Sequence, residues 1–365
     1  MTSTQSLKTV LSGYTMPAAP ALVRDEDNQA VRCVACAHRC LIPNGRSGVC
    51  RVRFNDGGRL RVPAGYVAGL QIDPIEKKPF FHAWPASNAL SFGMLGCNFH
   101  CSYCQNWISS QSLRDDRAAA APRACAADEV ARLAVEHTVP VVVSTYNEPL
   151  ITCDWAVEVF KRARAHDIVC GFVSNGHATP EALEFIRPYV DLYKVDLKSF
   201  RDRNYRKLGG VLQPVLDTIR HLHAMAFWVE VVTLVVPTFN DSDDELREMA
   251  DFIASVSPDI PWHCTAFHPD YKMADLSATP AETLDRAHAI GRAAGLRFVY
   301  AGNLPGRVGE RENTACPGCD GTLIRRQGFR VLENRLRRGR CPDCATAIPG
   351  RWPDATIPAS APAPT

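Results

Sequence analysis

The fifteen cysteines of this chain fall mostly into three dense groups, and this grouping restricts the fold more than any other feature. The groups occupy residues 33–50, 97–104 and 316–344, and each contains C-x2-C spacing. In a chain of 365 residues such spacing is typical of metal thiolates, whereas disulfide frameworks stabilise small secreted domains. Four further cysteines have no partner spacing and are predicted to be core thiols: Cys125, Cys153, Cys170 and Cys264.

The charge balance gives no reason to expect a nucleic-acid or membrane partner. The 41 basic and 39 acidic residues leave a net charge of +2, which creates no bulk field. The best apolar run, Phe227 to Pro237, contains Glu230 and is too short to span a bilayer. No basic region followed by an apolar stretch opens the chain, so a signal peptide is not expected. Reduced thiols without an export signal predict a cytoplasmic protein.

Composition divides the chain into four zones. Residues 1–85 predict a cysteine-rich extension with many turns, and residues 86–305 alternate β-branched runs with helical patterns. Residues 306–351 hold the last cysteine group and predict a zinc-ribbon-like module. Residues 352–365 are rich in Pro and Ala, cannot bury a core and are predicted to be disordered.

The second zone predicts an α/β fold built on a parallel sheet. Its candidate strands are apolar on both faces: residues 89–95, 140–145, 168–174, 192–197, 228–236, 262–267 and 297–301. Helical patterns with capping residues such as Thr179 and Ser242 lie between them. Six or seven strand–helix units predict a partial (β/α)6 barrel, with a doubly wound sheet as the competing topology. In both, chemistry belongs at the carboxyl ends of the strands.

The central cysteine group follows the first predicted strand directly. Cys97, Cys101 and Cys104 have C-x3-C-x2-C spacing, which lets three thiolates each bind one iron of a 4Fe-4S cluster. The fourth iron then keeps an open position for a chelating substrate. Tyr103 is placed to shield such a cluster from water. Zinc held by the three thiolates and His100 is the alternative, although this ligand order is unusual for a zinc knuckle.

Several motifs around this triplet resemble the radical S-adenosylmethionine (SAM) superfamily. The closest similarity is to AmmeMemoRadiSam-system radical SAM enzymes, which are relatives of the pyruvate formate-lyase activating enzymes. Besides the triplet, four segments carry the resemblance: residues 73–79, 104–107, 145–149 and 333–335. Together these segments are far more specific than the triplet alone.

The resemblance implies a 4Fe-4S cluster and SAM as cofactors. A reduced cluster in this superfamily cleaves SAM to methionine and a 5′-deoxyadenosyl radical, which takes a hydrogen atom from the substrate. It also implies a flavodoxin or ferredoxin-type reductant, and Memo-like and AMMECR-like partner proteins. Protein, RNA and small molecules all stay open as substrates, and no catalytic residue is assigned.

Further residues are carried over to the cofactor site. Asn147 and Glu148 occupy the segment that the superfamily usually writes Gly-Gly-Glu, and Glu148 is expected to accept hydrogen bonds from the SAM amino group. Ser174 and Asn175 end the third strand with polar side chains suited to ribose hydroxyls. The structural alternatives are that Glu148 begins a helix before Pro149 and that Ser174 and Asn175 form an ordinary turn.

Three more cofactor contacts follow from the activating enzymes. Asp196 and Lys198 match an Asp-Leu-Lys segment that contacts the cofactor there. His268, after the sixth strand, resembles a histidine near the adenosyl group. A solvent-facing ion pair and a structural histidine are the corresponding alternatives.

The two outer cysteine groups predict additional metal sites. The last group predicts a closed zinc site of zinc-ribbon or rubredoxin type, with iron as the alternative: Cys316, Cys319, Cys341 and Cys344. The first group predicts a structural zinc, with an auxiliary iron–sulfur cluster as the alternative: Cys33, Cys36, Cys40 and Cys50. The arginine-rich stretch between residues 325 and 340 is read as a solvated face.

Three functions are consistent with these sequence patterns. The first is a radical SAM enzyme that abstracts hydrogen from an unknown substrate. The second is a glycyl-radical-enzyme activase, although the ferredoxin-like insertion that many such activases carry after the triplet is missing. The third, from another class, is an iron–sulfur electron carrier or zinc-ribbon binding protein, which would not need Glu148, Asp196 and Lys198 at strand ends.

Overall fold

A computed structural model describes residues 6–353 of the chain. The predicted disordered tail, residues 352–365, therefore lies outside the described residues except for its first two positions. None of the helices in this described part is long and apolar enough to cross a membrane.

Residues 6–67 form one short helix and several short strands around turns. Their elements are α1 (Leu7–Ser12), β1 (Thr15–Pro17), β2 (Val23–Asp25), β3 (Val31–Cys33), β4 (Leu41–Ile42), β5 (Phe54–Asp56), β6 (Arg59–Pro63) and β7 (Tyr66–Val67). They build two small antiparallel sheets, ordered β1-β6-β5 and β2-β3-β4. This region shares one hydrophobic core with the central strands and helices, and the buried ion pair between Arg53 and Asp154 (2.6 Å) joins it to a later helix.

The central architecture is one eight-stranded sheet. Its strands are β8 (Gly69–Pro74), β9 (Asn88–Gly93), β11 (Val141–Ser144), β12 (Val169–Ser174), β13 (Leu192–Asp196), β14 (Trp228–Val235), β15 (Trp262–Ala266) and β16 (Val299–Gly302), while β10 (Arg123–Ala124) pairs with β7. From β9 to β16 the pairs are parallel and follow chain order, whereas β8 is antiparallel to β9. All seven predicted strands are present. The order contains no reversal, which the doubly wound alternative would require.

Helices connect the parallel strands. They are α2 (Trp107–Ser110), α3 (Ala127–Glu136), α4 (Cys153–Arg164), α5 (Pro180–Ile186), α6 (Asp202–Leu208), α7 (Leu212–Ala224), α8 (Asp243–Val256) and α9 (Ala281–Ala293). As predicted, Thr179 caps α5 and Ser242 caps α8, because each side chain accepts a bond from a first-turn amide.

The strands are covered on both faces, as their apolar sequences predict. Val142 of β11 belongs to the large core under the helices. Its neighbours Val141 and Val143 point to the other face, where they join Ile75 and Phe80 in a separate apolar cluster. The segment before β9 therefore covers the inner face of the sheet. This arrangement also places β8, from the predicted extension, in the central sheet.

The last described region is a three-stranded antiparallel sheet, β17 (Thr314–Ala315), β18 (Thr322–Gln327) and β19 (Arg330–Asn334). It packs on β16 through a second core that includes Phe298, Tyr300 and Phe81. The imidazole of His82 contacts the hydroxyl of Tyr300 (2.6 Å) and the carbonyl of Pro349 (2.7 Å). We call residues 314–351 the C-terminal module.

Candidate functional site

The three cysteines of the central triplet line one cavity of about 600 Å³ at the carboxyl ends of the parallel strands. They are the only cysteines that line it among the described residues, and all three are free thiols. Their loop follows β9 and is held by backbone contacts: the His100 amide donates to Leu208 O (2.9 Å), and Arg114 donates to Cys97 O (2.8 Å). Groups from elsewhere in the chain therefore hold this loop in position.

Burial disfavours the thiolate form of each of these cysteines. It raises the pKa of Cys97 well above the ordinary value, with the Glu148 carboxylate adding to the effect. It raises the pKa of Cys101 to about 12, and the pKa of Cys104 also rises. A metal must therefore displace these protons when it binds, which couples binding to proton release.

The arrangement of the loop favours a cluster over zinc. His100, which the zinc alternative requires, is exposed and does not line the cavity; its ring lies against Gly209. Tyr103 is buried and does line the cavity, and its hydroxyl has no hydrogen-bond partner within residues 6–353. Three thiols without His100 fit a cubane that has one corner free of cysteine.

Glu148 lies beside this cavity with both carboxylate oxygens already in use. One oxygen accepts bonds from the Leu150 amide (3.0 Å) and the Ser174 hydroxyl (2.7 Å), and the other accepts from the Asn175 amide (2.8 Å). Burial outweighs these bonds and raises the pKa of Glu148 from 4.5 to about 7. Glu148 thus caps the short helix Pro149–Thr152, which is the helix start that the sequence allowed. It also lines the cavity, as the predicted cofactor role requires.

The polar residues next to Glu148 differ in how directly they reach the cavity. Asn147 and Asn175 line it, whereas Ser174 does not. Asn175 donates to the side chain of Asn98 (2.8 Å), so the end of β12 is tied to the cysteine loop. Ser174 instead donates to Glu148, which makes it a positioning group for the carboxylate.

A charged trio lies at the end of β13. Asp196 accepts hydrogen bonds from Lys194 and from Lys198 (3.2 Å), and all three line the cavity. Burial raises the pKa of Asp196, but the two lysines outweigh burial and lower it to about 2. Two ammonium groups share one carboxylate, so this wall carries a net positive charge. The side chains of Lys194, Asp196 and Lys198 are buried or partly buried. The alternative of a solvent-facing ion pair between Asp196 and Lys198 therefore does not hold.

His268 occupies the outer part of the same cavity. Its side chain is exposed, and Nδ1 lies 3.4 Å from Pro269 O. The structure therefore brings six of the seven predicted cofactor residues to the cavity wall, with Ser174 set behind Glu148.

The chain is similar to proteins of one known superfamily. Residues 93–253 match the radical SAM superfamily domain. An uncharacterized protein from Methanocaldococcus jannaschii is 36% identical over 326 residues, covering 88% of this chain and 96% of that protein. The chain belongs to the radical SAM superfamily. Superfamily members are enzymes, and membership implies a 4Fe-4S cluster and SAM as cofactors.

Other radical SAM proteins are similar over shorter stretches or with lower identity. The isethionate sulfite-lyase activating enzyme of Oleidesulfovibrio alaskensis is 27% identical over 122 residues, 32% of this chain and 40% of that enzyme. A radical SAM methyltransferase structure from Sphaerobacter thermophilus is 14% identical, with 83% of each chain covered and a TM-score of 0.46. A pyruvate-formate lyase-activating enzyme domain from Bacteroides vulgatus is 19% identical, covering 44% of this chain and 98% of that domain, with a TM-score of 0.40.

Two parts of the radical SAM cavity were not expected from the sequence. The segment before β9 supplies Lys78, which donates to Asp73 (2.8 Å) and to the hydroxyl of Tyr146 (3.0 Å). The turn between β18 and β19 supplies Gly328 and Phe329. The family resemblance of residues 73–79 pointed to the segment that contains Lys78. No local sequence pattern marks Gly328 and Phe329 as cavity residues.

The last cysteine group has the spacing of a tetrahedral site. Cys316 and Cys344 are 3.5 Å apart at sulfur, Cys319 and Cys341 are 3.7 Å apart, and all four sulfurs lie within 4.8 Å of one another. Zinc–sulfur bonds of about 2.3 Å imply sulfur separations of about 3.8 Å. These four thiols can therefore hold a single metal ion of zinc's size.

One arginine between these pairs is not on a solvated face. Arg326 is buried and donates to Phe81 O (2.8 Å) and Thr314 Oγ1 (2.8 Å). Its guanidinium also lies 3.8 Å from Glu76 and 4.2 Å from the centre of the Phe81 ring. The prediction of a solvated face is wrong for this residue, because Arg326 joins the C-terminal module to the central sheet. Arg325 beside it is exposed as predicted.

Proposed function

We propose that this protein binds a 4Fe-4S cluster through Cys97, Cys101 and Cys104 and cleaves SAM reductively to abstract hydrogen from a substrate. The observation that carries the proposal is that these thiols share one cavity with Glu148 and with the lysine–aspartate trio. When bound, the reduced cluster supplies one electron for breaking SAM into methionine and a 5′-deoxyadenosyl radical. We further infer that the sheet forms the open (β/α)6 barrel of the superfamily.

The residues around the cavity divide the task of holding SAM. The three thiolates would occupy three corners of the cluster and leave the fourth for the SAM amino and carboxylate groups. Glu148, in its ionised form, would accept a bond from the amino group, and Asn147 and Asn175 offer amide groups beside it. The positive wall of Lys194 and Lys198 would attract the carboxylate, while Asp196 keeps both ammonium groups in place.

Water exclusion is the second requirement, because a primary carbon radical is quenched easily. Tyr103 is buried against the ring of Phe239, with centroids 5.6 Å apart, and closes the cavity beside Cys104. Phe329, 44% exposed, forms a second, solvent-exposed part of the cavity wall. The substrate, whether protein, RNA or small molecule, would enter past this second wall.

The test is SAM cleavage by protein reconstituted anaerobically with iron and sulfide. With dithionite and SAM we expect 5′-deoxyadenosine from the wild-type protein and none from Cys101→Ala, which should also lose the cluster absorption. Cys125→Ala, at a lone buried thiol, is the matched control and should keep both. A wild-type protein with an assembled cluster that releases no 5′-deoxyadenosine would contradict the proposal.

Glycyl-radical activation is a second candidate. It is favoured by the similarity to the isethionate sulfite-lyase activating enzyme, which covers 32% of this chain. If it is correct, deuterium at a glycine of a partner protein will pass into 5′-deoxyadenosine, and that partner will show a glycyl radical signal. An electron carrier, by contrast, would show reversible cluster reduction with no SAM cleavage.

The remaining assignments rest on the thiol chemistry for the metal and on the family resemblance for the reductant and partners. We propose zinc at the C-terminal module, a flavodoxin or ferredoxin-type reductant, and Memo-like or AMMECR-like partners. All fifteen cysteines are free, and a protein with this many unpaired thiols suits the reducing cytoplasm.

A further inference from the structure

The first cysteine group also forms a site. Cys33, Cys36, Cys40 and Cys50 line one small cavity between β3, β4 and the turn that follows them. Three of them are buried and Cys40 is half-buried, yet none forms a disulfide. Four thiols that converge on one cavity, three of them buried, are the ligand set of a metal centre.

A backbone amide already supports negative charge on one of these sulfurs. The Val49 amide donates to the Cys40 sulfur (3.5 Å). Similar bonds occur at the other two cysteine groups, where Phe99 N donates to Cys97 (3.3 Å) and Gly318 N to Cys316 (3.4 Å).

An independent observation is Arg53, which lines the same cavity and is 1% exposed. It donates through Nη2 to Asp154 (2.6 Å), but Nε and Nη1 have no hydrogen-bond partner in the described chain. Buried donors without acceptors are costly. A metal centre held by four thiolates carries a net negative charge. Next to Arg53, this charge would compensate the buried guanidinium.

The separation of the sulfurs indicates which metal. Within residues 6–353, the last cysteine group is the one set of three or more ligand side chains whose ligand atoms all lie within 4.8 Å. Neither the first group nor the triplet brings three thiols to this spacing in the described part of the chain. A mononuclear zinc site needs the compact spacing, whereas in a cubane each thiolate binds its own iron and the sulfurs lie farther apart.

We infer that Cys33, Cys36, Cys40 and Cys50 hold a second 4Fe-4S cluster, in place of the zinc that the sequence favoured. All four irons would have a thiolate, so this cluster has no open position for SAM. Its loop touches that of the triplet: the His38 imidazole lies 3.2 Å from Asn98 O, and Arg114 bonds both Cys97 O and Val49 O. The comparison with the triplet rests on the proposed function, but the four-thiol site itself does not.

Metal analysis of anaerobically purified full-length protein tests this inference. We expect about eight irons and one zinc per wild-type chain. The triple variant Cys97→Ala, Cys101→Ala, Cys104→Ala should keep about four irons, with a reduced-cluster EPR signal that SAM does not change. Zinc in place of iron in this variant, or about four irons in the wild type, would overturn the inference.

A second variant keeps the test valid if the triple variant does not fold. Cys36→Ser with Cys50→Ser should lose about half of the iron, while the remaining EPR signal still responds to SAM; Cys170→Ser is the matched control and should lose none. A full complement of iron in the double variant would contradict the site. Failure of the proposed function looks different, because the wild type would then hold both clusters without any response to SAM.

Discussion

Glu148 shows how one side chain serves both the fold and the site. Its carboxylate orders the ends of β11 and β12 through three hydrogen bonds, yet it also faces the cavity. The sequence predicted the position from the family motif. The bond from Leu150 is local and belongs to the helix start that the sequence also allowed. The bonds from Ser174 and Asn175 could not be predicted, because these residues meet Glu148 only when β11 and β12 lie side by side.

The raised pKa of Glu148 predicts a pH dependence of stability. Its pKa is about 7 in the folded chain against 4.5 as the ordinary value. Folding is therefore favoured by the protonated form, and this contribution is complete below pH 4.5 and is lost as pH rises through about 7. Glu148→Gln removes the titration. We expect the melting temperature of the metal-free variant, relative to wild type, to rise between about pH 5 and pH 8.

Ser174→Ala is the control for that measurement, since it removes one bond to Glu148 and keeps the carboxylate. It should retain the pH dependence of the wild type. Equal pH slopes for wild type and Glu148→Gln would show that the carboxyl is not buried in the way described here.

At the scale of elements, the strands were the most predictable part of the fold. Runs rich in Val and Ile predicted all seven parallel strands, because strands covered on both faces need apolar residues throughout. β8 was missed, since it is an edge strand that mixes exposed Gln71 with partly buried residues. The path of the cysteine loop was also unpredictable, because it depends on a contact with α6 far along the chain.

That contact depends on Gly210, which follows the end of α6. A side-chain carbon at this position would overlap the ring of Phe99, between two cysteines of the triplet. We expect Gly210→Ala to cost about 1–3 kcal/mol of stability and to reduce iron incorporation at the triplet. Gly13→Ala is the control, because a side-chain carbon there meets only ordinary contact at 3.5 Å. Equal iron contents in both variants would contradict the packing argument.

At the scale of the whole molecule, the C-terminal module is part of the site. Its β18–β19 turn lines the radical SAM cavity through Gly328 and Phe329. The sequence predicted a separate zinc-ribbon-like unit from cysteine spacing, which describes the metal ligands but not where the unit docks. Docking depends on contacts between distant segments: the second hydrophobic core, and buried polar contacts such as Arg326 with the carbonyl of Phe81.

Arg326 therefore offers a test of the assembly. Arg326→Ala leaves Glu76 buried without its cation and removes two hydrogen bonds, so we expect a loss of about 3–5 kcal/mol. The module should also become sensitive to limited proteolysis. Arg325→Ala, whose partner Glu333 is 3.7 Å away and exposed, should change stability by about 1 kcal/mol or less. Similar losses in the two variants would contradict the docking described here.

The central claim is that the triplet leaves one cluster corner open to SAM. It is tested most directly by electron–nuclear double resonance on the reduced protein with SAM carrying ¹⁵N in its amino group. The account predicts hyperfine coupling between the cluster and that nitrogen in the wild type and in Cys125→Ala, and none in Cys101→Ala. An assembled cluster that shows no such coupling, or a zinc ion held by the triplet, would contradict it.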